Sequence, residues 1–96
     1  MTSMSAKTGL IAIALPDLGT APFPVRVSSW FVDPGDGVEV GDRVVEVLIR
    51  GITCDISAPA TGHIDSIVKD VDALVAPGDV LAWIQPDSAG TTWRNA

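Results

Sequence analysis

Cysteine occurs once in this chain, at Cys54, so no internal disulfide can form and an oxidising compartment would add nothing to its stability. Lysine is confined to Lys7 and Lys69. No apolar run approaches the roughly 20 residues of a membrane span. The stretch Gly9 to Leu15 is short, alternates like a strand and ends in Pro16-Asp17 rather than in a small-residue cleavage site, which reads as mature cytoplasmic protein. Positive charge is scarce as well: 6 basic residues face 12 acidic ones, giving a formal charge of −6 and a pI near 4.3. Nucleic acid and anionic membrane would be repelled and are not expected as partners. Aromatics are only 5%, and no stretch of ten residues keeps the 3.6 period of an amphipathic helix.

What remains is a chain of 96 residues, 47% hydrophobic, whose core must be built from Val, Ile, Leu and Ala. That length suits one domain, and that composition favours strands. Short β-branched runs punctuated by Gly, Pro and Asp recur throughout. They predict strands over Leu10 to Leu15, Val25 to Val32, Val38 to Val40, Val44 to Ile49, Ile52 to Ser57, His63 to Lys69, Leu74 to Ala76 and Val80 to Gln85. The domain is expected over residues 9–86, with a frayed segment at 1–8 and a flexible tail at 87–96.

Shifting the sequence by 37 positions lays Val27 on Ile64, Ser29 on Ser66, Val38 on Val75, Gly41-Asp42 on Gly78-Asp79 and Val47 on Ile84. Two halves with one apolar face each must bury those faces against one another. The expected fold is all-β: a flattened barrel, or barrel-sandwich hybrid, of two four-stranded antiparallel sheets with pseudo-two-fold symmetry. Between the fourth and fifth strands stands Arg50-Gly51, a two-residue connection ending in Gly, which predicts a tight hairpin with its tip in solvent. The hairpin is expected at one end of the molecule and the chain termini at the other.

Several motifs resemble the lipoyl domains of acyltransferase components of 2-oxo acid dehydrogenase complexes. Leu15-Pro16-Asp17-Leu18-Gly19 is similar to their opening motif, and Ser29-Trp30-Phe31-Val32-Asp33-Pro34-Gly35-Asp36 to their second strand and turn. Val40-Gly41-Asp42 with Val45-Glu46-Val47 resembles the approach to the modified hairpin, Ser57-Ala58-Pro59-Ala60-Thr61-Gly62 the exit from it, and Pro77-Gly78-Asp79-Val80-Leu81-Ala82 the closing segment. In that family the hairpin tip reads Asp-Lys-Ala, and the resemblance implies lipoate, or biotin in related carriers, on the lysine. Here the tip reads Arg50-Gly51-Ile52, and Gly51 holds the lysine's place. No amine is available there, so no cofactor is expected on the hairpin. The loop after Gly19 resembles the family's partner-recognition loop, but it has Thr20 where an acidic residue is usual, and Pro22 and Pro24 stiffen it.

Other candidates read as structural. Lys69 is expected to be a solvated surface charge, Cys54 an inert core or half-buried residue, and His63, with no second ligand near it in sequence, a surface residue. Trp30 and Trp83 are expected to pack, while Trp93 is either loose or a docking anchor. Arg50 reads first as a solvated turn residue and second as a bidentate grip on a carboxylate or phosphate. The aspartate-rich turn Asp33-Pro34-Gly35-Asp36-Gly37 gives way to a strand too soon for a calcium loop, so no metal is expected. No nucleophile, base and orienting partner can be assembled, so no catalytic residue is named. The expectation is a non-catalytic protein-interaction or assembly module of a 2-oxo acid dehydrogenase-type complex. Alternatives are an acyl or carboxyl carrier modified at an unrecognised residue and an adaptor-type lipoyl-like domain.

Overall fold

A computed structural model describes residues 9–19 and 21–87. Lys7, Thr20, Trp93 and the expected terminal segments lie outside these residues, apart from Asp87, whose N–H donates to the Thr61 carbonyl at 3.1 Å. Eight strands are present: β1 (Ile11–Ala14), β2 (Val25–Trp30), β3 (Gly37–Val38), β4 (Arg43–Ile49), β5 (Ile52–Ser57), β6 (Gly62–Ile67), β7 (Leu74–Val75) and β8 (Val80–Pro86). Among the described residues there is no helix. One sheet has the order β1-β8-β6-β3 and the other β5-β4-β2-β7, every pairing antiparallel.

Several strands are shorter than expected: β1 lacks Leu10 and Leu15, β2 ends at Trp30 rather than Val32 and β6 at Ile67 rather than Lys69, and at β3 and β7 an aspartate turn cuts the strand. Over Val38 to Val40 only Val38 is strand, because the Glu39 N–H turns to the Asp42 carboxylate (2.9 Å) and Gly41 adopts a φ of 95°. Leu74 to Ala76 is cut in the same way, with the Ala76 N–H on the Asp79 carboxylate (2.9 Å) and Gly78 at 91°. A short aspartate side chain thus takes over a backbone donor that the ladder would otherwise have used. These aspartates close turns.

The 37-residue repeat is a structural repeat. Adding 37 carries the bounds of β2 onto β6, β3 onto β7 and β4 onto β8. The register shift between Val27 and Ser29 returns between Ile64 and Ser66. Even loop bonds recur: the Gly35 N–H donates to the Ile64 carbonyl and the Asp72 N–H to that of Val27. Asp72, at φ 76°, holds the left-handed position that Gly35 holds at 95°, a conformation Asp tolerates better than most residues.

The core lies between the sheets. Val27, Val44, Val45 and Val47 from one face Leu81, Ala82 and Ile84 from the other, all fully buried. Each large aliphatic residue shut away in this manner stabilises the fold by about 1.5–3 kcal/mol. Adjacent Val44 and Val45 are both buried because the β4–β5 register shifts between Arg43 and Val45. Gly62 is required by close approach, since a Cβ there would run into the Gln85 carbonyl oxygen.

The sandwich has two poles. β4 and β5 run to the Arg50-Gly51 turn at one pole. At the other, Gly62 pairs with Pro86, Ile11 pairs with Ile84, and Asp87 reaches Thr61, so both described chain ends lie away from the turn, as expected from the sequence.

Candidate functional site

The register Ile49↔Ile52 leaves Arg50 and Gly51 alone as the hairpin connection, with φ of 52° and 81°. Two successive left-handed residues define a type I′ turn, whose twist matches that of the flanking strands. Gly51 adopts this conformation freely, and a Cβ built on it would meet nothing within 4 Å. At Gly51 the apex therefore faces open space.

Arg50 does not extend into that solvent. Its guanidinium carbon lies 4.1 Å from the centroid of the Phe23 ring, in stacking contact with the loop that follows β1. Sequence reasoning treated Phe23 only as part of a proline-stiffened loop. The signal available was an aromatic held between Pro22 and Pro24, where it cannot join a ladder and remains 42% exposed. Stacking occupies a face of the guanidinium and leaves its N–H edge free. Among the described residues no acceptor meets it.

Beside the stacked pair lies an open depression of about 280 Å³, lined by Gly19, Phe23, Ile49, Arg50, Ile52 and Cys54. Ile52 is 67% exposed, an unusual place for a large aliphatic residue, and Cys54 is half-buried against the core. The structure thus gathers the predicted tip residues Arg50, Gly51 and Ile52 with the loop after Gly19. Cys54, expected to be inert, supplies part of the wall.

Other candidates lie elsewhere. His63 is exposed on β6 opposite Gln85. Lys69 sits in the β6–β7 loop, where its carbonyl accepts from the Trp30 indole N–H at 2.8 Å. Trp30 and Trp83 are both half-buried. Asp55 pairs with Arg43 at 3.0 Å across the hairpin base; both are substantially exposed, and such a pair contributes little. Among the described residues no three His, Cys, Asp or Glu side chains are gathered as a metal site, and no helix is long and apolar enough to cross a membrane.

Two interlocked four-stranded sheets with a pseudo-two-fold axis and a tight hairpin at one pole define the lipoyl-domain class of β-sandwich. The biotin/lipoyl family, described as "Biotin-requiring enzyme", matches residues 11–84, and the chain belongs to that family. It is 27% identical over 85 residues to the dihydrolipoyllysine-residue succinyltransferase component of the 2-oxoglutarate dehydrogenase complex of Rickettsia bellii, a match covering 88% of this chain and 21% of that protein. Similarity to the acetyltransferase component of the pyruvate dehydrogenase complex of Staphylococcus epidermidis is 28% over 75 residues, 78% of this chain and 17% of that one. The chain thus spans about a fifth of the length of these relatives. Among solved structures, the lipoyl domain of the 2-oxoglutarate dehydrogenase complex from Azotobacter vinelandii superposes with a TM-score of 0.63 at 26% identity, over 77% of this chain and 94% of that domain.

Lipoate and biotin are the groups this family implies, and the apex does not fit them. Arg50 and Gly51 offer no primary amine for an amide link, and Lys69, the one lysine among the described residues, stands outside the hairpin.

Proposed function

We propose that this chain is a lipoyl-type domain that works without a lipoyl group: a non-catalytic protein-interaction or assembly module, associated in the cytoplasm with a 2-oxo acid dehydrogenase-type complex. Gly51 stands where the family carries its attachment lysine. The observation supporting this reading is the hairpin apex, a two-residue turn whose flanking register is continuous from Val45↔Ile56 to Ile49↔Ile52, with the family's shape and no acylatable side chain. A carrier must present a reactive arm to successive active sites. A tip that ends in a glycine and a stacked arginine can make contacts but cannot carry an acyl or carboxyl group.

Intact-mass measurement on protein isolated from its native host tests this. The expected result is the mass of the unmodified polypeptide, less the initiator Met where it is removed. A lipoyl or biotinyl increment, mapped by fragmentation to Lys7 or Lys69, would replace the module with a carrier. Partner association is read separately, as co-elution of the full chain with acyltransferase or decarboxylase components in size-exclusion chromatography.

A further inference from the structure

The hairpin tip borders a free sheet edge. β5 ends the order β5-β4-β2-β7, and its ladder partner is β4. Ile49 and Ile52 flank a two-residue turn and so form a hydrogen-bonded pair; by alternation Cys54 and Ile56 also direct their N–H and C=O groups toward β4. Thr53 and Asp55 therefore direct theirs outward, and among the described residues nothing meets them. A strand laid along this edge would gain up to four backbone hydrogen bonds from those two residues.

Side chains opposite Ile52 and Cys54 on such a strand would point to the same face as these residues, over the depression. Phe23, Ile52 and Cys54 supply apolar surface there, and Arg50 supplies a fixed guanidinium with its N–H edge unused. We propose that the β5 edge takes an extended peptide segment of a partner protein, with an aliphatic and an acidic side chain two positions apart: the aliphatic one over Cys54 and Phe23, the carboxylate on Arg50. This rests on the interaction-module reading and names the kind of partner that module receives. Charge favours a carboxylate. A single guanidinium balances one negative charge, and a doubly charged phosphate would face a chain whose formal charge is already −6.

The test is selection from a phage-displayed library of random octapeptides against the immobilised full chain, followed by fluorescence-anisotropy titration of the enriched sequences as synthetic peptides. Enriched peptides should pair Asp or Glu with Val, Ile, Leu or Met two residues away. Arg50→Ala should weaken their binding at least tenfold, and so should Ile52→Ser; both positions are exposed, so folding is not at stake. N-methylating, one at a time, the peptide amides aligned with Thr53 and Asp55 should cost a similar factor and leaves the protein untouched. Failure to enrich any peptide, enrichment of peptides without an acidic residue, or equal binding to Arg50→Ala would each overturn the proposal. If dehydrogenase components still co-elute while the peptides fail, the edge site is wrong and the module stands. Loss of co-elution counts against the module itself.

Discussion

Gly37 and Gly62 open the paired strands β3 and β6, where they stand opposite His63 and Val38, yet they differ in what they permit. At Gly62 a Cβ would meet the Gln85 carbonyl oxygen and lie 2.8 Å from the Pro86 Cα, so the β6–β8 ladder would have to part. At Gly37 the nearest atom is 4.0 Å away and φ is not left-handed. Gly62→Ala should therefore cost about 1–3 kcal/mol, the usual range for overpacking. Gly37→Ala should stay within about 0.5 kcal/mol of wild type. Urea denaturation of the two variants checks both, and similar midpoints would contradict the packing described for Gly62. Neither effect could be read from the sequence, where both residues are simply Gly at the start of a strand. The Arg50–Phe23 contact was equally hidden, because it joins positions 27 apart through a loop whose path no periodicity reports.

The β4–β5 hairpin was far more legible. A β-branched run, two turn residues ending in Gly and a second β-branched run fix the register, since a slip of one residue would expose Val45, Val47 and Ile49 together. The repeat likewise gave the strand order its symmetry. Legibility failed at β3 and β7, where Val40 and Ala76 were expected in strands; Val40 is 64% exposed in a turn, and the Ala76 N–H is taken by the Asp79 carboxylate. A prediction belongs to the hairpin as a unit. If its shape still suits a lipoate ligase, the double change Arg50→Asp with Gly51→Lys should create a substrate, with lipoylation seen by mass spectrometry after incubation with ligase, ATP and lipoate. A lysine at a left-handed position costs about 1 kcal/mol. Removing Arg50 forfeits a further ~0.5–1 kcal/mol of stacking, which a domain of ordinary stability tolerates. Gly51→Lys alone is the comparison. A folded double variant that stays unmodified would show that the recognition surface has diverged beyond the apex.

At the scale of the whole molecule, each sheet takes two strands from each half of the chain. β1 and β3 form the two edges of one sheet with β8 and β6 between them, while β2 and β4 lie between β5 and β7 in the other. A fragment of residues 1–50 would retain β2–β4 as its one native pairing and leave the apolar faces of all four strands uncovered. It should therefore give a disordered far-ultraviolet circular dichroism spectrum and an amide proton spectrum without dispersion, and a native-like spectrum from the fragment would contradict the interlocked topology.

The same symmetry gives the apex and the chain ends a common origin. Advancing each strand by one repeat turns β4 into β8 and, around the ring of strands, β5 into β1, so the Arg50-Gly51 link in one half corresponds to the opening between Pro86 and Ile11 in the other. Seen as a ring, the fold has two equivalent joints at opposite poles, one closed as the tip and one left open as the termini. A load or tether applied at the open joint reaches the tip only through the full depth of the sandwich. Whatever is fastened to the chain ends therefore acts from behind the molecule and leaves the face that carries Arg50, Phe23 and the β5 edge clear for an approaching protein.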